Sequence, residues 1–170
     1  MRLFSIITLL FICFTNCKVN KEVTVNSGCN AEESVFEIEF VPTFEKGYRF
    51  VRHNGTNVDE LYILITDGSH QCFFKKNNNT EQIKEFDESK MQFLIDSIDN
   101  MKKGNFIQSC SGTHYDHPVD SIFFIESNSV KFQYVSTFNT PLSLNDNTIM
   151  KMGRLNFNAM KMIYSIYSQR

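Results

Sequence analysis

Five side chains able to bind a metal lie close together in one polar stretch, residues 109–120. They are Cys110, His114, Asp116, His117 and Asp120. Zinc in proteins takes three or four nitrogen, sulfur or oxygen ligands in a tetrahedral arrangement. The spacing Cys-x3-His-x2-His matches no familiar zinc finger, and no helical pattern holds the two histidines in phase. The stretch therefore has two interpretations, a zinc site built on His114, Asp116 and His117, or a polar surface loop with solvated imidazole rings.

Nucleophilic catalysis has less support from the residue pattern. Ser109, Cys110 or Ser111 could in principle pair with a nearby histidine. The chain contains no G-x-S-x-G elbow, P-loop or dinucleotide-binding fingerprint. The acidic pairs Glu32-Glu33 and Asp87-Glu88 fit a solvated surface and a helix start. The sequence therefore predicts no catalytic residue and favours a non-enzymatic protein.

The N-terminal residues 1–17 predict export. Arg2 precedes an apolar run, residues 3–14, that is shorter than the roughly 20 residues a membrane-spanning helix needs. The run ends in Phe14-Thr15-Asn16-Cys17, which resembles the lipobox of bacterial lipoproteins, although Phe14 and Asn16 depart from the usual residues. The resemblance implies a lipid on Cys17 and a membrane anchor in the bacterial cell envelope. The alternative is ordinary signal-peptidase cleavage after Cys17, which would give a soluble secreted protein.

Export also affects the interpretation of the remaining cysteines. Cys29, Cys72 and Cys110 are disulfide candidates in an oxidising compartment. A tight turn at Asp67-Gly68 would point Cys72 toward the core, and Cys110 follows the helix expected to cover that core. We therefore predict a Cys72–Cys110 disulfide, which would remove Cys110 from any zinc site.

The composition is that of one ordinary globular domain. The net charge of the 170 residues is only −2, and both signs are interspersed, so no basic surface for nucleic acid is expected. We assign residues 1–17 to a signal peptide, 18–33 to a flexible tether and 34–170 to a single domain.

Hydrophobic patterns predict the elements of this domain. Strands are expected at residues 35–41, 48–53, 57–65 and 69–75, a polar loop at 75–85 and a helix at 87–103 capped by Asp87. A long loop, 105–120, precedes a hairpin at 121–137, whose expected turn at Asn128-Ser129 places Phe123, Ile125, Val130, Phe132 and Tyr134 on the core face. A further loop at 145–147 and a closing helix at 155–167 follow. In the hairpin with the Asp67-Gly68 turn, the expected register pairs Thr66 with Ser69 and Ile63 with Cys72. The fold class is α+β, an antiparallel sheet of about six strands with two helices packed on one face.

Three functions fit this sequence. The leading one is a non-enzymatic, envelope-anchored or secreted binding domain for a protein or small ligand. An immunity-type inhibitor of an envelope toxin suits the size and compartment. A small metal-dependent hydrolase using the loop His114–His117 would require zinc, and no other cofactor is expected.

Overall fold

A mixed β-sheet forms one layer of the structure, and helices cover one of its faces. The computed structural model describes residues 29–34, 43–67, 69–77, 79–109, 118–136 and 142–170. Within these residues the eight strands are β1 (Asn30–Glu33), β2 (Gly47–Asn54), β3 (Asn57–Thr66), β4 (Ser69–Lys76), β5 (Asn79–Ile83), β6 (Gly104–Ser109), β7 (Val119–Glu126) and β8 (Ser129–Ser136). The helices are α1 (Glu88–Ser97), α2 (Asp146–Met152) and α3 (Arg154–Tyr167), and a single 3₁₀ turn, Ile98–Asn100, follows α1.

The strand order across the sheet is β1-β6-β8-β7-β2-β3-β4-β5. All neighbouring strands are antiparallel except β6 and β8, which are parallel. The α+β class is therefore confirmed, but the sheet is larger than the predicted six strands, it is mixed, and it carries three helices. Among the described helices, none combines the length and apolar character needed to cross a bilayer.

One face of the sheet and the inner faces of the helices share a single apolar core. The central strands contribute Tyr48, Phe50 and Phe124, each with no exposed surface. Leu94 of α1 and Ile163 of α3 are equally buried within the same cluster. All the described helices therefore pack on the same face of the sheet, which we call the helix-covered face.

The β3–β4 hairpin has the predicted register. Thr66 pairs with Ser69, and Ile63 pairs with Cys72. Leu61, Ile63 and Cys72 are all buried in the helix-covered face, as alternation of side chains along a strand requires. Asp67, in the turn, has a φ of 46°, a conformation that Asp adopts more readily than most residues.

The β7–β8 hairpin differs from its prediction. The turn residues are Ser127 and Asn128, both at positive φ, so Glu126 pairs with Ser129. A register shift between Phe124 and Ile125 then changes which side chains share a face. Phe124 faces the helices, whereas Phe123 and Ile125 pack on the opposite face beside Val51. The prediction that Phe123 and Ile125 enter the helix-covered core was wrong because the turn starts one residue earlier and a bulge interrupts the ladder.

Short strands occupy three stretches that were predicted to be tether or loop. Asn30–Glu33 belongs to β1, so the predicted tether 18–33 ends too late. Asn79–Ile83 forms β5 within the predicted loop 75–85, and Gly104–Ser109 forms β6 within the predicted loop 105–120. Each strand contributes one side chain to the main hydrophobic core, Ala31, Ile83 or Phe106, and a single apolar residue is too short a pattern to predict a strand.

The helices begin close to their predicted starts. Asp87 caps α1, because its side chain accepts hydrogen bonds from the amides of Ser89 and Lys90. The α-helix ends at Ser97, earlier than the predicted Lys103, and gives way to the 3₁₀ turn. An additional helix, α2, begins at Asp146 where a loop was predicted, with Asn145 as its N-cap. The predicted strand 35–41 lies outside the described residues.

The predicted Cys72–Cys110 disulfide is wrong, because Cys72 carries a free, buried thiol. Cys72 lies on β4, whereas Cys110 directly follows β6, and these two strands are five positions apart in the sheet. Five steps of about 4.8 Å separate them by about 24 Å, against a Cα–Cα span of at most about 7 Å in a disulfide. Cys29, which the prediction left in the tether, is disulfide-bonded.

Candidate functional site

Most of the predicted site residues fall outside the described part of the chain. Cys17, Cys110, His114, Asp116 and His117 all lie in stretches that the structure does not describe. Across the described ranges, no group of three or more His, Cys, Asp or Glu side chains is arranged to hold a metal ion. The zinc interpretation of the loop 110–117 therefore stays a prediction.

Of the five candidate metal-binding side chains, Asp120, near the start of β7, is the one that the structure describes. Its carboxylate accepts two hydrogen bonds from Arg52, with Nε–Oδ1 at 2.7 Å and the second guanidinium nitrogen 2.6 Å from Oδ2. Tyr164 of α3 donates a third hydrogen bond to Oδ2 at 2.9 Å. Both carboxylate oxygens therefore accept hydrogen bonds from described side chains.

The sheet register explains how Arg52 and Asp120 meet. They are directly opposite each other on β2 and β7, and directly opposed residues share a face. Asp120 is 2% exposed, so its negative charge depends on Arg52 for compensation. The hydrogen bond to Asp120 raises the pKa of Arg52 despite the opposing effect of burial.

A second carboxylate extends this cluster beneath α3. Tyr167 donates a hydrogen bond to Oδ2 of Asp59 at 3.1 Å, and the Arg52 guanidinium lies 4.8 Å from the centre of the Tyr167 ring. The other oxygen of Asp59, Oδ1, is buried and has no hydrogen-bond partner in the described structure.

A buried amide continues the polar cluster toward β6 and β8. The Gln108 side-chain oxygen accepts hydrogen bonds from the hydroxyls of Tyr134 at 2.6 Å and Ser136 at 2.7 Å. Gln108 lies near the end of β6 and Asp120 near the start of β7, so these groups border the stretch 110–117. We refer to Arg52, Asp59, Asp120, Tyr164, Tyr167, Gln108, Tyr134 and Ser136 as the polar cluster.

The chemistry available to the polar cluster is hydrogen bonding and charge compensation. Burial, followed by the nearby charge of Asp120, raises the pKa of Tyr164. Burial also raises the pKa of Tyr134. A phenol with a raised pKa stays protonated and donates its hydrogen bond at neutral pH. The described tyrosines of this cluster are thus suited to holding carbonyl and carboxylate oxygens.

Sequence reasoning named Asp120 but missed Arg52 and Tyr164. A signal for Arg52 exists in strand alternation, because it follows Tyr48 and Phe50 at intervals of two and so shares their buried face. A charged residue in phase with two core aromatics predicts a buried partner of opposite charge. Tyr164 lies between Ile163 and Ile166, and its pattern does not separate it from ordinary helix packing.

A second charged network lies on the opposite face of the sheet. Glu60, 6% exposed, accepts hydrogen bonds from Arg49, Tyr62 and Lys75. Burial alone would raise the pKa of Glu60, but the hydrogen bonds from Tyr62, Arg49 and Lys75 outweigh it and lower that pKa to about 2. Glu60 is therefore ionised throughout the physiological range.

The Glu60 network predicts a pH-dependent stability term. Because the folded pKa lies below the ordinary 4.5, the term is fully present above about pH 5 and is lost as the pH falls toward 2. The shift corresponds to at most about 3 kcal/mol. The difference in unfolding free energy between wild type and Glu60→Gln should shrink by about this amount between pH 6 and pH 2, as measured by urea denaturation. Glu81→Gln, in the exposed edge strand β5, is the control, and equal pH profiles for the two variants would contradict the prediction.

A surface groove adjoins the polar cluster at Tyr164. Its volume is about 510 Å³, and its lining residues are Leu142, Phe157, Lys161, Tyr164, Ser165 and Ser168. The Lys161 ammonium lies 5.9 Å from the centre of the Phe157 ring. The groove is shallow and open, and its lining combines apolar and aromatic side chains with hydroxyl groups and one cation, Lys161.

Comparison with known proteins provides no relative. No family model, curated protein or solved structure matches the chain. The function is therefore inferred from the chain's own residues.

Proposed function

We propose that this protein is an envelope-anchored lipoprotein, held by lipid on Cys17, whose α+β domain binds a ligand without transforming it. The anchor is supported by the apolar run ending in Phe14-Thr15-Asn16-Cys17. The binding role is supported by the groove at Tyr164, whose hydroxyl also belongs to the polar cluster. That groove is the observation on which the binding proposal rests.

Two buried ionisable groups of the described domain, Glu60 and Cys72, fit a structural role better than acid–base catalysis. General acid–base chemistry requires a group whose pKa lies near the working pH. Burial raises the pKa of the Cys72 thiol to about 12, and the pKa of Glu60 is about 2. Both groups stay in one protonation state near neutral pH, as a structural role requires.

The tether sets how far the domain stands from the membrane. Cys29 lies twelve positions after Cys17, and a fully extended chain advances at most about 3.6 Å per position. The domain would therefore begin within about 43 Å of the lipid surface. Its ligand would be another envelope component or a molecule passing through that layer.

Lipid attachment is tested by labelling the native host with a fatty-acid analogue. Wild type and Cys13→Ser are expected to incorporate the label and to fractionate with membranes. Cys17→Ser is expected to lose both properties, because the several acyl chains of a bacterial lipoprotein provide its membrane affinity. Equal labelling of wild type and Cys17→Ser would overturn the anchor and leave a secreted protein.

The binding groove is tested by capture from detergent-solubilised envelopes of the same host. Lys161→Glu reverses the charge at the groove and is expected to reduce capture of a specific partner at least tenfold. Lys103→Glu makes the same charge change at an exposed position outside the groove and should retain capture. Identical capture by both variants and wild type would show that the groove is not the binding surface.

A further inference from the structure

Cys29 marks the point where the predicted tether meets the folded domain. It is disulfide-bonded, and the buried Cys72 is free. The chain contains three other cysteines, Cys13, Cys17 and Cys110, all outside the described residues. The identity of the partner decides whether the sulfur of Cys17 is available for lipid.

The pairing of β1 with β6 favours one partner. In this antiparallel pair, Asn30 is opposite Ser109 and Glu33 is opposite Phe106. If this register continued one step beyond the described end of β6, it would bring position 110 opposite Cys29. Cys110 is the residue that follows Ser109 in the chain.

Backbone hydrogen bonds identify the type of this cross-strand position. The Cys29 amide donates to the Ser143 carbonyl at 2.7 Å, and the Cys29 carbonyl accepts from the Asn145 amide at 2.9 Å. Both groups therefore point away from β6, whereas the Ser34 amide points toward it and donates to Asn105 at 2.8 Å. Residues 29 and 34 are an odd number of positions apart, so their backbone amides point to opposite sides of the strand, as strand alternation requires. Cys29 thus occupies a non-hydrogen-bonded position relative to β6, where opposed Cα atoms are about 4.5 Å apart, within the range that a disulfide spans.

We infer that Cys29 is bonded to Cys110 and that the sulfur of Cys17 remains available for the lipid, the latter clause resting on the proposed function. Forming the bond removes two electrons and two protons from the two thiols. A disulfide donor protein of an oxidising compartment accepts the electrons by thiol–disulfide exchange and becomes a dithiol. The bond also removes Cys110 from the predicted zinc ligands.

The disulfide would reinforce one edge of the sheet. β1 is a four-residue strand at one end of the strand order, and beyond it lies a single bridge between Cys29 and Leu144. A cross-link at Cys29, the residue just before β1, would tie the incoming chain directly to the end of β6. Tension on the tether would then reach the domain through a covalent bond rather than through four backbone pairs.

Tryptic mapping without reduction tests the pairing, because each cysteine position of interest falls in a different peptide. Cys29 lies in residues 22–46, Cys110 in 104–131 and Cys72 in 53–75, and Cys17, which would be the first residue after lipoprotein processing, lies in 17–18. Protein exported through its own signal is alkylated under denaturing conditions and then digested. We expect a cross-linked species of 22–46 with 104–131 and alkylated Cys72. A link from 22–46 to any other peptide, or alkylated thiols at both Cys29 and Cys110, would overturn the inference.

Single substitutions separate this inference from the lipid anchor. Cys29→Ser should leave one additional alkylated thiol at Cys110, whereas Cys72→Ser and Cys17→Ser should retain the 22–46 to 104–131 link. A Cys17→Ser variant that keeps this link and shows the same fatty-acid labelling as wild type overturns the anchor and supports the disulfide. Loss of the link in Cys17→Ser, with Cys29 then alkylated, overturns the disulfide.

Discussion

Replacing Gly47 by alanine is expected to destabilise the domain by more than about 4 kcal/mol, the range reached only by severe backbone or core disruption. Gly47 has a φ of +146°, and a Cβ atom there would lie 2.0 Å from the carbonyl oxygen of Ile63. That oxygen belongs to the backbone of β3, so a rotamer change cannot relieve the overlap. β2 is paired on both sides, with Gly47 opposite Leu64 and Ile125, and a shift of its backbone would disturb both neighbours.

Gly55→Ala is the matched control for Gly47→Ala. Gly55 also has a positive φ, +60°, but a Cβ atom there meets nothing within 4 Å. Its expected cost is only the left-handed backbone term, roughly 1–2 kcal/mol. Urea denaturation followed by circular dichroism measures both, and similar midpoints for the two variants would contradict the predicted overlap. Since whole domains are stable by only about 5–15 kcal/mol, Gly47→Ala is expected to accumulate poorly.

Arg52→Ala is expected to destabilise the domain by roughly 3–5 kcal/mol, because it leaves the buried carboxylate of Asp120 without its counter-charge. Lys46→Ala removes an ion pair to Asp99, whose side chain is 60% exposed, and exposed pairs contribute at most about 1 kcal/mol. Chemical denaturation at pH 7 should therefore separate the two variants clearly. An Arg52→Ala cost no larger than that of Lys46→Ala would mean that solvent compensates Asp120.

A double variant distinguishes the uncompensated charge from lost packing. Arg52→Met with Asp120→Asn removes both charges while keeping an amide oxygen that can accept from Tyr164. If the unpaired carboxylate is the main cost, the double variant should recover at least half of the stability lost in Arg52→Ala. A double variant as unstable as the single one would assign the cost to the contacts between the Arg52 guanidinium and the rings of Phe50 and Tyr167.

The hairpin register, the helix cap and the closing helix could be predicted from sequence, because each depends on residues close together in the chain. A tight Asp-Gly turn and alternating apolar residues determine that Thr66 opposes Ser69 and that Cys72 is buried. Asp87 caps α1 because its own carboxylate reaches the next free amides. The closing helix follows from the spacing of Ala159 and Ile166, both buried. Each cause operates within one hairpin or one helix, so the residues alone carry the information.

Other features depend on neighbours that the local pattern does not contain. A one-residue difference in the turn at Ser127 and a bulge after Phe124 moved Phe123 and Ile125 to the opposite face of the sheet, whereas Phe132 and Tyr134 face the core as predicted, because side-chain orientation has a period of two. The edge strands β1 and β5 form because partner strands offer free backbone groups, and their short polar sequences show little sign of this.

The candidate site shows the same division between sequence and tertiary structure. The sequence by itself determined the α+β class and the buried hairpin that contains Cys72. Tertiary structure alone decided that Arg52 meets Asp120, 68 residues away, and that Tyr164 completes the carboxylate's hydrogen bonds. It also decided that Cys72 lies five strands from β6, too far for the predicted disulfide. The physical reason is that strand order in a sheet brings together residues distant in the chain, and it is determined by the packing of the whole domain rather than by any one segment.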